Sequence, residues 1–120
     1  MAKSLSSDDL DVIHRATKVN RSMLRLFLDR KKPRLLGKIV AASHIAITLG
    51  RYEELRDPLE DDPKWAKKIH EQHEAADGEI KGDGMGRCHL VWQRQAEILW
   101  EKYQIRWFSP AEMNPWIMMD

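Results

Sequence analysis

His70, His73, Glu74 and Asp77 are the residues of this chain best spaced to hold a metal ion. Positions three or four apart share one face of a helix, so two imidazoles and two carboxylates could converge there on a divalent cation. The plainer reading is a solvated, charged face of an amphipathic helix. The spacing is neither the paired His and Glu of a zinc-protease helix nor the Glu-x-x-His of di-iron bundles.

Cys88-His89 follows a glycine-rich stretch and falls near an expected helix start, where a thiol can be activated by the helix dipole and an imidazole. Neighbouring residues on a helix point about 100° apart, so this imidazole is badly placed to be the thiol's base. A core cysteine is the better reading. Gly82-x-Gly84-x-Gly86 lacks the preceding strand and the lysine of a phosphate loop. His44 sits in an apolar run and reads as a core histidine. No organic cofactor is expected.

The largest compositional anomaly is electrostatic. Residues 15–38 hold nine cations against Asp29 alone, within a chain of net charge +1. Arg15, Lys18, Arg21 and Arg25 recur at helical spacing, and Arg30, Lys31, Lys32 and Arg34 follow as a cluster. Such a face suits phosphate contact, most simply with nucleic acid. Against this, no aromatic residues interleave with the helix-face cations. An acidic stretch at 53–62, of the same fold or a second copy, could balance them.

The last thirty residues carry a different signal. Trp100, Trp107, Phe108, Met113, Trp116, Ile117, Met118 and Met119 load the C-terminal end with large apolar surface. Trp and Met are enriched where proteins dock on proteins, so these eight are candidate partner-binding residues. The competing reading folds the segment back over the chain's own core.

The elements that must position these groups read as helices. Ser6-Ser7-Asp8-Asp9 marks a helix start, and one helix is expected over 7–31, with Asn20 offering a break. Residues 35–49 are apolar almost all round, which predicts a buried central helix. Gly37, Ala41 and Ala42 would let a neighbouring helix approach it. Gly50 suits its C-cap, although the pattern could run on through Leu55. Residues 57–63 read as a loop, with Asp62-Pro63 opening a third helix whose inner stripe is Trp65, Ile69, Gln72 or His73, and Ala76. A mobile glycine loop precedes a fourth helix over 87–103, with Cys88, Val91, Trp92, Gln95, Leu99 and Lys102 along one side. Ser109-Pro110-Ala111-Glu112 matches a capping box and starts a short turn that Asn114-Pro115 ends.

The expected fold is therefore all-α: a small bundle of about four helices, with a short C-terminal helical turn and a tail, forming a single domain over 1–120. At 120 residues, 42% hydrophobic and 32% charged, the chain can bury an ordinary core. No apolar run reaches the roughly 18 residues of a membrane span, so no membrane partner is expected. The N-terminus lacks a secretory pattern and Cys88 is the lone cysteine, which points to the cytoplasm.

No motif fixes an activity. The favoured expectation is a small non-catalytic interaction module, an accessory, regulatory or inhibitory subunit, whose partner is a protein or a second copy of itself. The alternatives are a nucleic-acid-binding protein using the basic helix at 15–34, and a small metal-binding protein around His70 and His73.

Overall fold

The computed structural model describes residues 5–52 and 54–119. Glu53 of the acidic 53–62 stretch lies outside the described residues, as do the start of the chain read for a leader and Asp120.

The first helix, α1 (Ser7–Thr17), starts where the capping signal places it. The Ser6 Oγ accepts from the Asp9 amide at 3.1 Å, and a cap of this type contributes about 1 kcal/mol. The expected long helix over 7–31 stops early. Lys18 turns left-handed at φ 66°, and the Asn20 Oδ1 accepts from the Met23 amide at 2.9 Å to cap a second helix, α2 (Arg21–Leu28). Thr17 and Asn20 offer the backbone local side-chain bonds, and these interrupt the helix over the three residues Lys18–Asn20.

Pro33 opens α3 (Pro33–Leu49), and Gly50 closes it in the left-handed region at φ 65°. Among the described residues α3 buries more positions than any other helix: Leu35, Leu36, Ile39, Ala42, Ser43 and Ala46. It does not run on toward Leu55. Its burial is one-sided, because Gly37, Ala41, His44 and Thr48 fall on one exposed face. His44 is thus not a core histidine, and a Cβ at Gly37 would meet nothing within 4 Å. Small side chains on that face lose little by meeting water, so the apolar sequence overstated its burial.

Residues 57–63 contain a 3₁₀ turn (Pro58–Asp61) where a loop was expected. Asp62 and Pro63 then open α4 (Pro63–Glu79), which packs against α5 (Arg87–Tyr103). Ile69, Gln72 and Ala76 meet the stripe of Val91, Gln95, Ile98 and Leu99. The reciprocal capping box of Ser109 and Glu112 opens α6 (Pro110–Met113). The fold is all-α, and among the described residues there is no strand.

The apolar core falls into separate clusters. One joins α1, α2 and α3 with Leu55 and Met113, and another joins Ile69 and Leu99 with Trp107. Polar bonds help tie the parts together. Asp57, fully buried, accepts from Lys38 Nζ at 2.9 and 2.8 Å, from the Phe108 amide at 2.8 Å and from the Leu59 amide at 3.0 Å. Lys38 also donates to the Arg106 carbonyl at 2.6 Å. Asn114, equally enclosed, accepts from the Leu55 amide and donates to the Leu55 and Pro110 carbonyls.

Candidate docking groove

The break between α1 and α2 reorganises the basic region. Arg15, Lys18, Arg21 and Arg25 do not share one helix face, since Lys18 caps α1 and Arg21 begins α2. Lys18 lies 5.0 Å from the centre of the Tyr52 ring, and Arg21 pairs with Asp11. Lys38 is absorbed by Asp57. The remaining cations are different. Among the described residues, Arg15, Arg25, Lys31, Lys32 and Arg34 make no ion pair, and Arg30 reaches only its neighbour Asp29 at 4.0 Å, both well exposed.

Three of these cations edge a groove of about 520 Å³ between α1, α2 and the start of α3. Buried Leu10, Leu28 and Leu36 form its floor, with Leu5 and Leu26 beside them. Leu26 is 69% exposed on the wall, although Leu24 and Leu28 on the same helix are buried. Arg25, Arg30 and Lys31 supply the charge, with Asp29 and Ser22 the other polar lining groups. Arg30 is held left-handed at φ 66°, a conformation costing a non-glycine residue about 1 kcal/mol, in the turn that links α2 to α3. The arrangement is an apolar trough with a cationic rim. It fits a ligand that is apolar on one side and anionic on the other.

Among the described residues, the acids held in close ion pairs lie away from this rim, where exposed Asp29 is the one lining carboxylate. Asp61 accepts from Arg51 and Arg56, and the Arg51 bond leads in holding its carboxyl down to about 2. Asp77 pairs with Arg87 and Glu79 with Arg94, each arginine keeping its partner below the usual carboxylate range. Glu60 accepts from the Trp107 indole at 3.1 Å, while burial pushes its carboxyl up. Balance by the acidic stretch thus reaches Lys38 and stops there.

The four residues read as a metal set do not converge. His70 lies beside Glu74 at 3.3 Å on the outer face, His73 Nδ1 faces Gln95 Oε1 at 3.2 Å, and Asp77 is taken by Arg87. No group of three or more metal-ligating side chains assembles among the described residues. Helical spacing put the four near one another, but partners on α5 draw His73 and Asp77 away. His70 and His73 do share a cavity of about 270 Å³ with Glu60, Gln95 and Trp107, a polar recess that the sequence pattern missed. Cys88 is half-buried, and His89 Nε2 donates to the Met119 carbonyl of the tail at 2.7 Å.

The C-terminal apolar residues divide. Trp107 and Met113 are buried within the chain and so are core, not contact surface. Phe108 and Trp116 are half-buried against the α1–α3 cluster. Trp100 is partly exposed beneath the Arg106 guanidinium, and Ile117 and Met118 are exposed. Met119 is half-buried. Self-packing therefore accounts for Trp107, Phe108, Met113 and Trp116. Sequence could not separate the two groups, because both are large, apolar and close to prolines.

Among the described residues no helix is long and apolar enough to cross a membrane. No protein-family model, curated protein or solved structure matches the chain.

Proposed function

We propose that this chain is a small non-catalytic interaction module, an accessory or regulatory subunit that works by docking on another macromolecule through the groove between α1, α2 and α3. One observation carries the reading: the leucine-floored trough is edged by Arg25, Arg30 and Lys31, which among the described residues meet no carboxylate closer than exposed Asp29, 4.0 Å from Arg30. Exposed leucine beside unpaired cations serves neither core packing nor internal charge balance. Ile117 and Met118 give the surface further apolar contacts away from this groove.

Nucleic-acid binding is the second reading, favoured by the same cations. The groove weighs against it, since its floor is leucine and it has no aromatic platform for bases. The experiment is retention on immobilised protein, wild type against Arg25→Glu/Lys31→Glu, from lysate of the source cells with and without nuclease. Retention of a protein by wild type and its loss from the variant is expected. Retention of nucleic acid alone, abolished by nuclease, would contradict the proposal.

A further inference from the structure

We infer that the groove takes an acidic amphipathic helix of a partner protein, with the helix's apolar stripe on the leucine floor and its carboxylates against Arg25, Arg30 and Lys31. The inference rests on the docking function proposed above and names its ligand.

Residues 25–34 carry five cations and one acid, and the three cations on the groove lack a carboxylate other than exposed Asp29. A neutral apolar partner would leave those cations facing partly dehydrated surface, which is costly. A polyphosphate chain would use the cations and leave Leu26 in water. Only a ligand bearing both apolar groups and anions uses the whole site.

The backbone argument selects a helix. No strand occurs among the described residues, so there is no sheet edge for an extended peptide to join. A helix satisfies its own backbone hydrogen bonds, so it can lie on leucine without leaving amides unpaired. Its anchors at i, i+3 or i+4, and i+7 suit a trough bounded by helices. A second copy of this chain is a poorer occupant. Its long acid-bearing helices already bury their apolar stripes, α1 against α3 and α4 and α5 against each other.

The probe is a labelled synthetic helix with leucines at those positions and glutamates flanking them, titrated with the full chain by fluorescence anisotropy. A second peptide carries lysine in place of each glutamate. Expected is saturable binding of the glutamate peptide, at least tenfold tighter than the lysine peptide. It should be weakened at least tenfold by Arg25→Glu/Lys31→Glu and by Leu26→Asp. Arg25 and Leu26 are exposed and Lys31 is half-buried without an ion pair among the described residues, so circular dichroism melts of the variants should match wild type. Failure of the glutamate peptide to saturate by about 1 mM, a very weak affinity, overturns the inference, as does equal binding of the two peptides. Tighter binding of a single-stranded oligonucleotide, unaffected by Leu26→Asp, overturns it in favour of phosphate. If the peptide fails while a protein is still retained in a groove-dependent way, the ligand assignment falls and the docking function stands.

Discussion

Replacing Lys38 by Met tests whether one buried ion pair joins the parts of the fold. Lys38 brings two bonds to Asp57 and one to the Arg106 carbonyl, and Asp57 is fully enclosed. In Lys38→Met the carboxylate keeps the Leu59 and Phe108 amides but loses its counter-ion. Removing one partner of a buried pair costs about 3–5 kcal/mol. For a domain of this size that is a drop of roughly 12–20 °C in Tm, taking about 4 °C for each kcal/mol. Asp57→Asn turns an amino group toward one of the two backbone amides and weakens the charge-assisted bonds, for about 2–4 kcal/mol. The double variant no longer buries an unpaired charge, so it should lose at least about 1 kcal/mol less than the sum. The assay is urea unfolding of all four proteins followed by circular dichroism. A cost below about 1 kcal/mol for Lys38→Met, the value of a surface pair, would refute the reasoning, and so would strict additivity.

Three further outcomes are expected. Gln72 Oε1 is buried without a hydrogen-bond partner among the described residues, so Gln72→Met should raise stability by about 1 kcal/mol, read as a higher Tm. Asp61 is depressed from 3.8 to about 2, so its stabilisation is full above about pH 4 and lost as pH falls through about 2. Glu60 has the opposite sign: its raised carboxyl favours the folded state when protonated and loses that contribution as pH rises through the folded value. Asp61→Asn should therefore flatten the acid limb of Tm against pH, and an unchanged limb would contradict the Arg51–Asp61 assignment. Ending the chain after Pro115 should cost about 1–2 kcal/mol through loss of Trp116, whereas Met118→Ala, at a site 93% exposed, should leave the melt unchanged.

Local signals in the sequence locate most element boundaries, because each rests on a few adjacent residues. Ser6, Gly50, Asp62-Pro63 and the Ser109–Glu112 box all act as their chemistry dictates. The break after α1 was visible only as an option at Asn20, since choosing it depends on Thr17 and Asn20 outcompeting helical bonds. Which side of α3 faces water was hidden, because Gly37 and Ala41 read as apolar whether buried or not. The groove itself was half legible. Its cations stood out by composition, but the leucines that floor it come from the N-terminal end, α1, α2 and α3. No single stretch displays them together.

If the groove edge serves binding and not folding, a change at Arg30 separates the two. Its left-handed backbone favours glycine, so Arg30→Gly relieves strain while deleting a rim charge. The measurement pairs a thermal melt of Arg30→Gly with its retention of protein from nuclease-treated lysate. The account predicts a Tm at or above that of wild type, by up to about 1 kcal/mol of added stability, together with weaker retention. Retention equal to wild type, or a lowered Tm, would contradict it.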